Sequence, residues 1–350
     1  MPPPRTRPSS AENNPLPLPV PEREIQIGNA ANEAAARHRF NDYRARRADH
    51  TLRRQDADLA LFASFLSSLG IQVGDLAHEP AAWRGITWGL VEAFVKWQLS
   101  LGYAIPSINV RLSTVKTYAR LALQSGTLPP EEYALIRSVK GFSHREQQRL
   151  DQRRPRQRVG TKKPAPVALT PQQATALKTQ PNTPQGRRDA LLMCLLLDHG
   201  LRVGEVAALR VENLDLDAGI LRFFRPKVGK TQTHRLSPDT LEILHRCVAL
   251  NDLPTNPHAP LLRASLKDGS LGKAGMTTRA ITQRVRFLGE QLGITGLSAH
   301  DCRHYWATQA ARRGVDPFAL QQAGGWASLA MPRRYIADNE IANAGLLDEE

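Results

Sequence analysis

The chain has 350 residues, with 47 Lys and Arg against 33 Asp and Glu and a formal net charge of +14. That balance draws in polyanions and points to nucleic acid, the alternative being a basic protein with no such partner. Three cysteines without CxxC spacing argue against a disulfide framework and a structural zinc site; no apolar run is long enough to span a bilayer and the polar start has no apolar signal core, so a cytoplasmic protein is expected.

Residues 1–30 are rich in Pro, Asn and charge and read as a disordered tail. A helical unit is expected over residues 31–145. Leu59, Phe62, Leu66 and Leu69 recur at helical spacing until Gly70 ends the run; Leu90, Phe94, Trp97 and Leu101 do the same before Gly102. A third helix from Ser107 places Ile108, Leu112, Val115 and Ala119 inward. Its other face carries Ser113, Lys116, Thr117 and Arg120, which either meet DNA phosphates or are simply solvated. A short helix over residues 130–140 completes a unit of four or five helices.

Residues 146–168 carry Arg149, Arg153, Arg154, Arg156, Arg158, Lys162 and Lys163, broken by Pro155, Gly160, Pro164 and Pro166. The stretch reads as an exposed basic linker that either tracks the DNA backbone or serves only as a tether. A second unit, residues 169–350, opens at Thr170-Pro171, a cap followed by proline in the first helical position. Helices are expected over 189–199, 205–209, 238–250, 278–292, 299–313 and 317–323. Short strands are expected over 214–217, 220–224 and 234–236, with turns at 217–219 and 228–230. The fold class is therefore mainly α with a small antiparallel β-sheet.

Chemistry concentrates in the second unit. Ser298 is a candidate N-cap, so His300 and Arg303 share one face of a helix's first turn, where imidazole, guanidinium and free N–H groups suit a phosphate. Arg202 sits in Gly200-Leu201-Arg202-Val203-Gly204-Glu205, a break between apolar helices. Pro226-Lys227-Val228-Gly229-Lys230 lies in the turn of the expected hairpin. Trp326 follows Arg303 by 23 residues, and Tyr335 follows Trp326 by nine.

The segments "DHGLRVGEVAALR", "RPKVGKTQTHRLS", "LSAHDCRHYWAT" and "LQQAGGWASLAMPRRYI" resemble, in order and spacing, the tyrosine recombinase family, which includes phage integrases, the Xer recombinases and Cre. The resemblance covers about residues 50–340 and is strong in the second unit, the first matching the family's core DNA-binding domain and the second its catalytic domain. It implies a site-specific recombinase that exchanges phosphodiesters through a 3′-phosphotyrosine, with neither cofactor nor metal. By this resemblance Arg202 and Arg303 grip the scissile phosphate, as the planar guanidinium fork is suited to do. Tyr335 is the nucleophile and His300 the general base or hydrogen-bond donor. Lys227 protonates the leaving 5′ oxygen, with Lys230 its rival in the same turn. Trp326 stands where the family usually has His; an indole positions groups but shuttles no protons. Glu205 and His304 support the site, and Cys302, in place of the usual Leu, is a small buried residue.

Arg333 and Arg334 beside Tyr335 are expected to face phosphate, and Arg235 to serve the sheet or DNA. The resemblance also implies double-stranded DNA with a specific recombination site and a tetramer on two such sites. The C-terminal residues from Ile341 dock on a neighbouring protomer or fold back on their own. Competing readings are a type IB topoisomerase or telomere resolvase, and a DNA-binding protein with a decayed site.

Overall fold

Hydrophobic spacing decides the helices of the first half. The computed structural model describes residues 22–154 and 166–337 and divides the chain into two units, Met1–Thr161 and Lys162–Glu350. The first holds α1 (Glu22–Arg37), α2 (Arg39–Ala45), α3 (Asp49–Ser68), α4 (Trp88–Ser100), α5 (Ile105–Gln124), α6 (Pro130–Ser138) and α7 (His144–Arg153). Helix α5 is central because Ile108, Leu112, Val115 and Ala119 form one apolar stripe, and all four are buried. Phe62 and Phe65 of α3 meet Phe94 of α4 at 4.9 and 5.5 Å between ring centroids, giving the core an aromatic cluster.

Three expectations need correction here. The tail expected over residues 1–30 is helical from Glu22 onward, in α1; residues 1–21 lie outside the described residues. The expected linker begins as helix α7, because Ser143 and Glu146 form a reciprocal capping box that carries it to Arg153. The linker's later cations, Arg156 to Lys163, lie outside the described residues. Leu69 and Leu101, expected to continue the apolar spacing of their helices, are exposed. Each is the C-cap of its helix, and the following glycines, Gly70 and Gly102, take φ of 80° and 78°. The chain turns away there before the next side chain can reach the core.

The second unit runs α8 (Pro171–Lys178), α9 (Pro184–Leu197), α10 (Val203–Ala208), β1 (Leu214–Asp215), β2 (Ile220–Arg225), β3 (Lys230–Arg235), α11 (Pro238–Ala249), β4 (Arg263–Ser265), β5 (Leu271–Gly275), α12 (Thr278–Gln291), α13 (Ala299–Arg312), α14 (Pro317–Gly324) and α15 (Ala330–Ala337). Side-chain oxygens of Thr170, Thr183, Ser237, Thr277 and Asp316 each accept a backbone N–H at a helix start, and this fixes where the helices begin. Helix α9 is buried on every side from Gly186 to Leu197, so it forms the middle of the core rather than its edge.

Strands β1, β2 and β3 form an antiparallel sheet in that order, with Ile220 opposite Arg235 and Arg225 opposite Lys230. Along β2 the period of two buries Leu221, Phe223 and Arg225 and exposes Arg222 and Phe224. The β4–β5 hairpin was not expected; its strands are short and rich in small residues, so they show no alternation, though Asp268-Gly269 at its turn is a hairpin signal. No described helix is long and apolar enough to cross a membrane.

Candidate active site

The break after α9 sets the first arginine. Gly200 turns the chain with φ of 60°, and a Cβ there would lie 2.3 Å from the Trp306 ring. Arg202 then becomes the N-cap of α10, and the Glu205 carboxylate accepts from its backbone N–H at 2.8 Å and from Nη1 at 2.9 Å. Its Nη2 donates to the Gly325 carbonyl at 3.1 Å.

Arg303 comes from the first turn of α13. Ser298 N–H and Oγ donate to the Asp301 carboxylate at 2.8 and 2.6 Å, which anchors that turn. The Arg303 guanidinium is buried, donates to the carbonyls of Gly200 and Gly324, and lies 4.7 Å from the centre of the Trp326 ring. Burial pushes it down to about 9, and the nearby Arg202 and Arg225 push the same way.

Sequence reasoning missed Arg225. This side chain is fully buried at the end of β2, and its Nη1 donates to both Glu205 oxygens at 3.2 and 3.1 Å. Nη1 also reaches the Gly324 carbonyl at 3.1 Å, and Nη2 the Ala323 carbonyl at 2.7 Å. Burial pushes its guanidinium down to about 10, against the pull of Glu205. The available signal was the strand period: Leu221, Phe223 and Arg225 share a face, which places a charge among core residues.

The turn after α14 joins these groups to the phenol. Gly325 caps α14 in the left-handed region at φ of 58°, and Trp326 follows. Tyr335, buried in α15, packs edge-on to the His304 ring at 5.1 Å and tilted on Trp326 at 5.8 Å. Trp326 also meets Trp306 at 6.1 Å. The structure therefore gathers Arg202, Glu205, Arg303, His304, Trp326 and Tyr335 within one protomer. Cys302 is a buried small residue, as expected.

The remaining candidates lie around this cluster. His300 is exposed in the first turn of α13. Lys227 is exposed in the β2–β3 turn, two residues from Arg225, and Lys230 opens β3. Arg235 is exposed at the far end of β3, opposite Ile220. Arg333 and Arg334 are exposed on α15. In the first unit Arg120 is exposed, but Lys116 is not a free surface cation. Its Nζ donates to the carbonyls of Arg137, at 2.9 Å, and Val139, closing the end of α6, and burial lowers its pKa. The docking of the C-terminal residues falls outside the described residues.

Chemically, Arg202 and Arg225 share the Glu205 carboxylate and Arg303 adds a third positive charge, so the cluster is short of negative charge and suits a phosphate placed among them. The adjoining phenol is the group able to attack it.

Residues 168–341 match the phage integrase family. Tyrosine recombinase XerC of Chlamydia muridarum is 24% identical over 298 residues, covering 82% of this chain and 87% of that protein. Tyrosine recombinase XerD of Neisseria meningitidis serogroup B is 31% identical over 186 residues, covering 52% of this chain and 60% of that protein. Among solved structures, the Tn1549 transposon integrase in complex with transposon right end DNA aligns with a TM-score of 0.61 at 14% identity, over 89% of this chain and 97% of that one. A lambda integrase dimer bound to a COC′ core site aligns with a TM-score of 0.57 at 14% identity, over 93% and 98%. At those identities the two structures establish a shared fold.

Proposed function

Because the chain belongs to the tyrosine recombinase family, we propose that it is a site-specific integrase in which Tyr335 cuts DNA and the Arg202–Arg303 pair holds the phosphate. The observation that carries this reading is the convergence of Arg202, Arg303, Trp326 and Tyr335 on the turn at Gly324-Gly325. The Tyr335 oxygen attacks the scissile phosphorus and forms a 3′-phosphotyrosine as the bond to the 5′ oxygen breaks. The phenol proton passes to a base, with His300 the candidate, and the leaving oxygen takes a proton from Lys227. The two guanidiniums offset the charge that grows on the phosphoryl oxygens. A 5′ hydroxyl from a second strand reverses these steps and rejoins the DNA, so one phosphodiester replaces another without an external energy source.

Double-stranded DNA carrying a specific site is the substrate, and exchange between two duplexes calls for four protomers. Arg120, Lys230, Arg235, Arg333 and Arg334 supply phosphate contacts that set position rather than sequence. Action in the cytoplasm fits this chemistry.

The test is a covalent trap. Nicked duplexes built from the DNA that flanks the gene are incubated with the full chain and resolved under denaturing conditions. The wild-type chain is expected to give a protein–DNA adduct, and Tyr335→Phe none. An adduct of equal yield with Tyr335→Phe overturns the assignment.

A further inference from the structure

Burying a guanidinium requires partners for its N–H donors, since an unpaired buried charge is strongly destabilising. Arg225 is fully buried, and its partners come from separate parts of the second unit. Glu205 belongs to α10, Gln232 to β3, and the carbonyls of Ala323 and Gly324 to the end of α14. Gln232 accepts from Nε and passes the connection on, its own amide donating to the Gln322 carbonyl.

These contacts fall on groups that the reaction needs. Glu205 also holds Arg202, and the Gly324 carbonyl also accepts from Arg303. Trp326 is the next residue but one after Gly324, and Lys227 is the next but one after Arg225. Contact with the turn leaves no spare room, because a Cβ on Gly325 would lie 2.5 Å from Cδ of Arg225. A buried arginine placed only to fill the core would not have to meet both the carboxylate that orients one phosphate ligand and the carbonyl that orients the other.

We propose that Arg225 is a positioning residue for strand cleavage: it locks the Lys227 hairpin, Glu205 and the Ala323–Gly325 turn into one frame, so that Arg202 and Arg303 face a single phosphate beside Tyr335. This rests on the functional reading above. Arg225 touches no DNA in this scheme and acts through Glu205 and the turn. A lysine supplies the charge but not the planar fork, so it can satisfy only part of the frame.

The experiment follows adduct formation on the nicked duplex in single turnover and separates three quantities: DNA affinity, the amplitude and the rate constant. Arg225→Gln is expected to lower the rate constant roughly 10- to 100-fold, the loss expected when reacting groups are slightly misplaced. Affinity for the same duplex should stay within about twofold, because that is governed by the exposed cations. Arg225→Lys should recover part of the rate. A purely stabilising role would instead reduce the amplitude, as folded protein is lost, and leave the rate constant intact; that result overturns the proposal, as does an unchanged rate.

Should Arg225→Gln fail to fold, Gln232→Ala removes the Nε acceptor from a partly exposed strand position and keeps Arg225. Its rate constant should fall roughly 3- to 10-fold at full amplitude, and wild-type cleavage by this folded variant overturns the proposal. A wild-type chain that forms no Tyr335 adduct defeats the functional reading and this proposal with it. A wild-type adduct with insensitive variants defeats this proposal alone.

Discussion

Glu205 holds two guanidiniums, those of Arg202 and Arg225, and a third, that of Arg303, lies near them. Glu205→Gln leaves Arg202 and Arg225 with a neutral partner in a buried setting. It should cost about 3–5 kcal/mol, the usual penalty for breaking a buried ion pair from one side, read as a lower denaturant midpoint at unchanged slope. Arg303→Ala should slow cleavage about 100-fold or more while the chain still binds DNA, since it removes charge stabilisation at the reacting phosphorus. A residual rate near that of the wild-type chain would remove Arg303 from the site. Arg202, Arg303, Trp326 and Tyr335 were singled out through the resemblance of their segments to a known family, and the structure brings the four together. Arg225 was not singled out, since beside Pro226-Lys227 it read as one more cation of a basic turn. Lys116 misled for the opposite reason: a lysine on a polar helix face looks alike in sequence whether it meets solvent or a neighbouring helix's carbonyls.

Among the elements, the joints are more constrained than the helices they connect. Gly325 needs φ of 58° and borders Arg225, so Gly325→Ala meets both a left-handed backbone and a steric clash. A stability loss of about 1–2 kcal/mol or more is expected from the backbone alone, measured by thermal or denaturant unfolding. The seam of α9, β3 and α11 adds a pH dependence. His199, hydrogen-bonded to Thr240 at 3.0 Å, and His234, edge-on to Phe223, are both pushed by burial from 6.5 to about 4. The unfolded chain therefore binds more protons between those values. The stability due to these imidazoles is present above about pH 6.5 and is lost as the pH falls toward 4. Unfolding midpoints at pH 7 and pH 5 should differ in that direction, and replacing His199 by Asn should shrink the difference. The helices were legible because caps and apolar stripes are local signals. The β4–β5 hairpin and the exposure of Leu69 and Leu101 depend on where the chain turns next, and spacing within an element does not report that.

For the molecule as a whole, the net charge of +14 belongs to DNA affinity rather than to folding. If the exposed cations neutralise six to ten phosphates, affinity should fall roughly 10³- to 10⁵-fold between 50 and 200 mM salt. Fluorescence anisotropy on a duplex of fixed sequence measures this, and a flat response would show that the charge does not meet the backbone. The chain divides into its two units between Thr161 and Lys162. The helices α1 and α7 lie in segments whose polar, charged composition masked any apolar period; α7 buries no residue at all.

The carbonyls of residues 323–325 have one more effect. They accept from Nη atoms of both Arg202 and Arg303, and the Tyr335 ring is buried against His304 and Trp326. A phosphodiester between these guanidiniums would meet N–H donors that the carbonyls leave over, since each guanidinium carries five. Both guanidiniums are tied to one short turn, so a change at residues 323–325 reaches the two together.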